Sequence, residues 1–223
     1  MVQIEFGGST EGSEQNPGAL HFDNLMGNAP EAAAWCSMDS IEDDFDDGAR
    51  ARVWLWSYEG GGCTHDELGG VLRFDLNGAS STDCGYVSAQ RFGVFGAAAA
   101  IEVVEEPGDP NIYLFFRLDI DYDNGIEMLL MDGQLDFRSE LGGNMQVLGS
   151  ALFDPSSHRF WRLREESGTV FWETSGDGSA WTVRHQAAPP LAIEALRVVL
   201  GAGIDGPTMG VSTPAFDNLN LIP

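Results

Sequence analysis

At 223 residues, 43% of them hydrophobic, the chain can bury a substantial core, and all-β chains of this length often form one domain. Its 35 acidic residues outnumber the 11 basic ones, all of them arginine, which gives a formal net charge of −24. This charge excludes nucleic acid as a partner, because the phosphate backbone would be repelled. The apolar runs are too short for a transmembrane helix.

The first part of the chain, residues 1–41, is predicted to be a flexible tether, because residues 7–18 are small and polar. This composition resembles the segment that follows the lipid-bearing cysteine of bacterial lipoproteins. We therefore expect a secreted or cell-surface protein, and our hypothesis is a lipoprotein whose export signal is missing from this chain.

The tetrapeptide FDNL occurs twice, at Phe22–Leu25 and at Phe216–Leu219. The first copy lies in an extra strand expected around residues 19–26. The two copies could pair within one molecule, or the first could be a remnant of a preceding domain. A third alternative is self-association, in which the N-terminal strand adds to the sheet of a neighbouring copy. The fourth alternative is that the two copies of FDNL match by coincidence.

From residue 53 onward the sequence indicates strands separated by turns. Asp123-Asn124-Gly125 and Gly176-Asp177-Gly178 are sequences typical of hairpin turns. The only short helix candidate before residue 45 is Glu31–Trp35, so a parallel α/β sheet is not expected. The pattern predicts an all-β sandwich or jelly roll. Its twelve strand segments, which are rich in β-branched and aromatic residues or alternate with a period of two, are VWLWSY, GGVLRFDL, GYVSAQRF, AAAAIEVVEE, NIYLFFRLDIDY, GIEMLLM, QLDFRSE, HRFWRLREE, TVFWETS, AWTVRHQ, ALRVVLGAG and AFDNLNLI.

The three cysteines are Cys36, Cys63 and Cys84. Cys63 and Cys84 each lie in a predicted turn, on either side of the strand segment GGVLRFDL. We expect a disulfide between them, which would place the protein in an oxidising compartment and leave Cys36 free. The alternative is three unpaired cysteines that act as small hydrophobic residues.

A longer motif carries a family resemblance. HRFWRLREESGTVFWETSGDGSAWTV, at His158–Val183, resembles the penultimate hairpin of bacterial laminin G-like modules in the concanavalin A-like lectin/glucanase superfamily. DDFDDG at Asp43–Gly48 resembles the opening of such modules, and AFDNLNL resembles their closing strand. The resemblance covers residues 42–223 and implies one jelly-roll β-sandwich domain of two antiparallel sheets, often a glycan-binding or adhesive domain of secreted proteins.

The long hairpin supplies the first candidate site. Alternation along its strands places Trp161 and Trp172 in the core and leaves Arg162, Arg164 and Glu173 on the opposite face. Guanidinium and carboxylate groups bind sugar hydroxyls well, so these three residues are a predicted ligand-binding site. The alternative is a cross-strand ion pair without a ligand.

RLDIDYDNGIE, from Arg117 to Glu127, supplies the second candidate site. Asp119, Asp121 and Asp123 alternate along one strand, and glucanases of the same superfamily place a nucleophile and a general acid in that way, with Glu at the outer positions. Arg117, Asp119 and Asp121 are therefore included among the predicted ligand-binding residues. The alternative is a solvated strand face that continues into a turn.

The acidic segment DDFDDG is the candidate metal site, since carboxylates at a sheet edge suit calcium. Its predicted ligands are Asp43, Asp44, Asp46 and Asp47. The alternative is a solvated acidic turn.

The leading interpretation is a non-catalytic extracellular recognition or adhesion module that binds a glycan or surface polysaccharide, with calcium as an expected aid. A structural subunit of an extracellular fibre, joined through the N-terminal strand, is the alternative. A glycoside hydrolase that uses Asp119 with Asp121 or Asp123 is the third interpretation.

Overall fold

The computed structural model describes residues 36–77 and 81–222, and within them it confirms the predicted all-β fold. A 3-10 helix covers Met38–Ser40, and a single-turn helix α1 covers Pro155–His158. None of the helices in these residues is long and apolar enough to span a bilayer. The strands, in chain order, are β1 (Trp54–Tyr58), β2 (Cys63–Glu67), β3 (Leu72–Leu76), β4 (Thr82–Ser88), β5 (Ala98–Glu105), β6 (Ile112–Asp121), β7 (Asn124–Met131), β8 (Gln134–Leu141), β9 (Asn144–Leu152), β10 (Phe160–Glu166), β11 (Thr169–Ser175), β12 (Thr182–Ala187), β13 (Arg197–Ile204) and β14 (Ala215–Asp217).

These strands form the two antiparallel sheets of a jelly-roll sandwich. Sheet A has the order β1-β4-β13-β6-β7-β8-β9, and sheet B has the order β12-β11-β10-β5-β14-β3-β2. The period-two pattern of the sequence gives each sheet an inward face that is apolar, and the two inward faces pack together as one core. The outward face of sheet A is then free to carry other side chains.

The long hairpin β10–β11 packs as its sequence predicts. Trp161 and Trp172 are fully buried in the core. Both indole N–H groups remain hydrogen-bonded, since Trp161 donates to the carbonyl of His158 at 2.9 Å and Trp172 donates to that of Glu127 at 3.1 Å. Burying an indole therefore leaves no donor unsatisfied. The prediction that these two side chains form the core face of the hairpin is confirmed.

Strand β14, which contains part of the second FDNL copy, lies inside sheet B between β5 and β3. Phe216 is fully buried there. Leu219 exchanges two backbone hydrogen bonds with Asp43, at 2.9 and 3.2 Å, so the predicted opening and closing segments adjoin. The first FDNL copy and the helix candidate at Glu31–Trp35 lie outside the described residues, so the relationship between the copies stays a prediction.

The disulfide joins Cys63 of β2 to Cys84 of β4, with a Cα–Cα separation of 5.6 Å. It therefore connects sheet B to sheet A. The expectation that both cysteines lie in turns was wrong, because each lies within a strand. Cys36 is free and exposed.

The structure also differs from the sequence analysis at two strands and at the tether. Strands β2 and β9 are absent from the twelve predicted segments. The sequence of β2, CTHDE, is mostly polar, and β9 is an edge strand with largely exposed side chains. Met38 and Ile41 are buried in the core although they precede residue 42.

Candidate functional site

A cleft of about 770 Å³ opens on the outward face of sheet A. The register of the sheet aligns outward-facing side chains of β13, β6, β7 and β8 into cross-strand rows. One row contains Val199, Arg117, Glu127 and Arg138, and the next contains Arg197, Asp119, Gly125 and Glu140. Hence three consecutive strands, β6 to β8, and the distant strand β13 bring a compact set of charged groups to one surface.

At the centre of the charged rows, Arg117 contacts three carboxylates. Its Nη1 lies 2.8 Å from Glu140 Oε2 and 3.4 Å from Glu127 Oε2, and its Nε lies 3.7 Å from Asp119 Oδ2. Its Nη2 donates to the carbonyl of Tyr122 at 2.8 Å, which fixes the guanidinium plane. We call Arg117, Asp119, Glu127 and Glu140 together the Arg117 cradle.

Gly125 makes room for the cradle. It lies between Asp119 and Glu140 in the cross-strand row, and a Cβ atom built on it would lie 2.7 Å from Cζ of Arg117. The guanidinium thus occupies the space that a side chain at this position would fill. The Asp-Asn-Gly turn that begins β7 therefore also sets the position of the cleft's central cation.

Two further arginines hold the outer ends of the charged rows. Arg197 binds both oxygens of Asp119, at 2.8 and 3.1 Å. Arg138 binds Asp136 at 2.6 Å and lies 3.7 Å from Glu127 Oε1. Glu127 therefore has only long contacts with its two cationic neighbours, whereas Asp119 has short ones.

This difference bears on the protonation of Glu127. Burial raises the pKa of Glu127, and the attraction of Arg117 and Arg138 opposes that rise without cancelling it. Burial also raises the pKa of Asp119 against the hydrogen bonds and charge of Arg197. For Asp136, hydrogen bonds from Ser150 and Arg138 outweigh burial and lower the pKa. Glu127 and Asp119 thus both favour the proton, whereas Asp136 favours the ionised form.

Beyond the charged rows, the cleft becomes apolar. Val87, Phe115, Leu129 and Val199 form a small cluster on the outward face, separate from the core between the sheets. All four line the cleft. The cleft therefore has a charged half and an apolar half, which meet between Glu127 and Leu129 on β7.

The second candidate site of the sequence analysis is only partly assembled. Arg117 and Asp119 lie in the cleft, in the Arg117 cradle. Asp121 lies at the rim, where its Oδ1 accepts hydrogen bonds from the backbone of Asp123 at 3.0 Å and from the side chain of Asn124 at 2.7 Å. The strand register shifts between Asp119 and Asp121, so strict alternation fails there. Asp121 ends β6 and Asp123 lies in the turn, and both are exposed.

The first candidate site, Arg162, Arg164 and Glu173, lies on β10 and β11 of sheet B, and these residues do not line the cleft. Glu173 accepts hydrogen bonds from Arg162 at 2.7 Å and from Arg164 at 3.1 Å. Each guanidinium also stacks on a ring, Arg162 on Trp181 at 4.0 Å and Arg164 on Phe171 at 4.3 Å. The structure thus forms the cross-strand ion pair that was the alternative interpretation, and ligand binding by these residues stays a prediction.

The acidic segment Asp43–Gly48 organises its own turn. Asp43 accepts hydrogen bonds from the indole of Trp54 at 2.6 Å and from the backbone of Phe45 at 3.0 Å. Asp44 and Asp47 accept from backbone N–H groups two residues on. Among residues 36–77 and 81–222, no group of three or more His, Cys, Asp or Glu side chains is arranged to hold a metal ion. Calcium binding by Asp43, Asp44, Asp46 and Asp47 stays a prediction.

Sequence reasoning missed four residues of the charged rows: Glu127, Arg138, Glu140 and Arg197. The available signal was the alternation of QLDFRSE, which places Asp136, Arg138 and Glu140 on one face of β8, and of GIEMLLM, which places Glu127 on one face of β7. That pattern identifies the face but not the register that brings those residues to Arg117.

No protein-family model matches the chain, and no curated protein matches it. Solved structures do resemble it. The catalytic domain of an endo-1,3-β-glucanase (laminarinase) from Thermotoga petrophila RKU-1 aligns with a TM-score of 0.61 at 11% identity, over 80% of this chain and 94% of that one. A prokaryotic β-1,3-1,4-glucanase (lichenase) derived from a mouse hindgut metagenome aligns at 0.59 and 15%, over 80% and 96%. The apo Crh5 transglycosylase aligns at 0.56 and 12%, over 84% and 83%.

At these identities, the likeness shows the concanavalin A-like jelly-roll fold. It also contradicts our leading interpretation of a non-catalytic recognition or adhesion module, because the matched proteins are enzymes that act on glycans. The third interpretation agrees with those matches. The matches do not test its pairing of Asp119 with Asp121 or Asp123, and the structure places Asp121 at the rim of the cleft and Asp123 in the turn.

Proposed function

We propose that this chain, which has the concanavalin A-like jelly-roll fold, is an enzyme that cleaves glycosidic bonds at the Arg117 cradle. One observation carries the proposal. Two carboxyl groups, of Glu127 and Glu140, share Nη1 of Arg117 in an open cleft, and the pKa of Glu127 is raised. Glycosidases require such a pair, with one group protonated and the other ionised. The similarity to glucanases and a transglycosylase supports this assignment.

Glu127 is the proposed general acid. Its contacts with Arg117 and Arg138, at 3.4 and 3.7 Å, are longer than the ~2.7–2.9 Å of strong charge-assisted hydrogen bonds. Its side chain is only 7% exposed, so the ionised form is poorly solvated. Burial therefore favours the protonated form that can be donated to a leaving group.

Glu140 is the proposed second carboxylate. It lies 2.8 Å from Nη1 of Arg117, and its side chain is more exposed than that of Glu127. Because both groups contact the same nitrogen, their nearest oxygens are no more than about 6 Å apart, which agrees better with retaining than with inverting glycosidases.

In the resulting mechanism, Glu127 donates its proton to the glycosidic oxygen as the bond to the anomeric carbon breaks. The carboxylate of Glu140 attacks that carbon and forms a covalent glycosyl-enzyme. Glu127, now ionised, then takes a proton from water, whose oxygen displaces Glu140 and restores both groups. A sugar hydroxyl in place of water would give transglycosylation.

Arg117 and Asp119 are proposed to position this pair rather than to react. Arg197 occupies both oxygens of Asp119, and Asp119 in turn lies beside Nε of Arg117. The arginines of the charged rows are all paired with carboxylates. An uncharged glycan therefore suits the cleft better than an anionic polysaccharide, which would meet the surplus carboxylates.

Such a substrate is found outside the cell, and we propose that the protein acts there as a secreted or surface enzyme. The Cys63–Cys84 disulfide supports this location, since such bonds persist in oxidising compartments.

The test is hydrolysis of β-1,3-glucan and mixed-linkage β-1,3-1,4-glucan, with release of reducing ends as the measurement. We expect Glu127→Gln and Glu140→Gln each to reduce the rate by roughly 10²–10⁴-fold. The matched control is Glu106→Gln, an exposed glutamate outside the cleft, which should retain full activity.

A second measurement separates the two roles. Azide added to Glu140→Gln would replace the missing nucleophile, whereas it cannot supply the proton missing in Glu127→Gln at the first step. Activity against the glucans that survives both substitutions would overturn the assignment of the cleft.

A further inference from the structure

The apolar half of the cleft is unusual for the outward face of a sheet. Val87, Phe115, Leu129 and Val199, which we call the apolar floor, belong to a face that normally carries polar side chains. Each is 5–7% exposed. The apolar floor is continuous with the Arg117 cradle, because both belong to one cleft.

A glycine on a neighbouring strand leaves space for one side chain of this floor. The ring of Phe115 lies over Gly201 of β13, where a Cβ atom would overlap it. Tyr58, Tyr113 and Met131 are half-buried around the floor. The floor is thus a shallow apolar depression with partly exposed walls, which is the form of a site for an apolar group.

A second sugar ring is a poor occupant of the floor. The floor's four side chains carry no hydrogen-bonding group, so sugar hydroxyls turned toward them would lose water without gaining a partner. One hydroxyl of the walls, that of Tyr58, donates to Asp83 Oδ2 at 3.5 Å.

We propose that the cleft also accepts, besides glucans, a glycoside in which an uncharged sugar is joined to an apolar alkyl or aryl group, with that group on the apolar floor. The statement that this ligand contains a sugar rests on the proposed function. Leu129 follows Glu127 by two residues on the same face of β7, which sets the floor about 7 Å from the proton donor. A group attached directly to the glycosidic oxygen reaches that distance within a few carbons.

The test is calorimetric titration of the whole chain with alkyl β-D-glucosides from methyl to octyl, each kept below its micelle concentration. On the wild-type chain we expect the dissociation constant to fall up to about fourfold for each methylene added until the floor is covered. The same series on Glu127→Gln should show the same dependence, because that substitution removes the acid and leaves the floor intact.

Two variants locate the effect. Leu129→Asn should abolish the dependence on chain length, and Met131→Gln, at the half-buried edge, should weaken it severalfold with little risk to folding. Leu152→Asn is the matched control, because Leu152 is 82% exposed and does not line the cleft. It should retain the full dependence.

The outcomes distinguish this inference from the proposed function. A dissociation constant that does not change with chain length would overturn the apolar site even if glucans are hydrolysed. A chain-length dependence that survives both Leu129→Asn and Met131→Gln would do the same. A dependence that these variants remove would support the site, even where Glu127→Gln leaves glucan hydrolysis unchanged and the proposed function fails.

Discussion

The guanidinium of Arg117 lies over Gly125, the residue that separates Asp119 from Glu140 in the cross-strand row. A side chain at position 125 and the present position of Arg117 are therefore mutually exclusive. The whole cradle depends on this relationship, since all of its carboxylates contact Arg117.

Gly125→Ala is expected to displace Arg117 from the cradle. The added methyl group would lie 2.7 Å from Cζ, and such overpacking typically costs about 1–3 kcal/mol. We expect a lower melting temperature and loss of most of the hydrolytic activity. Gly210→Ala is the control, because nothing lies within 4 Å of its Cβ position. A variant as active and stable as the wild type would contradict the dependence of the cradle on Gly125.

Activity should decline at alkaline pH as Glu127 loses its proton. Burial raises the pKa of Glu127, and the charge of Arg138 opposes that rise. Arg138→Gln removes this opposing charge, so the alkaline limb of kcat/KM should move to higher pH. Arg50→Gln, an exposed arginine outside the cleft, should leave the limb in place. A shift toward lower pH in Arg138→Gln would exclude Glu127 as the acid.

Asp217 should destabilise the fold at neutral pH. Burial, together with the charge of Glu102 and Asp46, raises its pKa to about 6. The folded state then binds the proton more tightly than the unfolded chain, so this contribution to stability is present in acid and is lost as pH rises from about 4 through 6. Asp217→Asn should raise the free energy of unfolding at pH 7 by about 1–2 kcal/mol, after allowance for solvent screening.

Urea unfolding at pH 4 and pH 7 measures this effect. Asp217→Asn should gain stability relative to the wild type at pH 7 and much less at pH 4. The same substitution in the hairpin turn, Asp132→Asn, should show no such difference between the two pH values. An equal gain in stability at both pH values would mean that the titration of Asp217 does not cause the gain.

Glu173→Gln should weaken the protein without weakening its activity. Glu173 is buried and pairs with Arg162 and Arg164, and the loss of its charge leaves two guanidinium groups poorly compensated. We expect a loss of about 1–3 kcal/mol in urea unfolding. Glucan hydrolysis below the melting temperature should be unchanged, since these residues lie on sheet B. Reduced turnover at full stability would reassign them to a binding role.

Removal of the disulfide should lower stability by about 3 kcal/mol, as expected for a loop of this length. Cys63→Ala combined with Cys84→Ala is the variant, and thermal unfolding is the measurement. The exposed Cys36, replaced by Ser, is the control and should have no effect. Equal melting temperatures for the double variant and the wild type would contradict a stabilising disulfide.

The fold was largely predictable because local sequence patterns indicate most of its strands. Twelve of the strands follow from alternation and hairpin turns, which depend on neighbouring residues alone. Strand β2 escaped prediction because its polar sequence, including His65 and Asp66, lacks strand formers, and its position depends on pairing with β3.

The site was less predictable, for a physical reason. Arg117 and Asp119 are two residues apart on β6, so alternation alone placed them together. Glu127 and Glu140 reach them only through the register of β6 with β7 and of β7 with β8. A shift of one residue in either pairing would turn those side chains to the other face, and alternation within a single strand does not define that register.

The placement of β14 has a consequence for how the molecule is made. Residues Ala215–Asp217 separate β5 from β3, so during synthesis both of those strands expose unpaired backbone groups until more than one hundred further residues have followed β5. Unpaired strand edges of this kind can form backbone hydrogen bonds with strands of other chains. The nascent protein would therefore need a chaperone, or rapid release from the ribosome, to close sheet B before it associates with its neighbours.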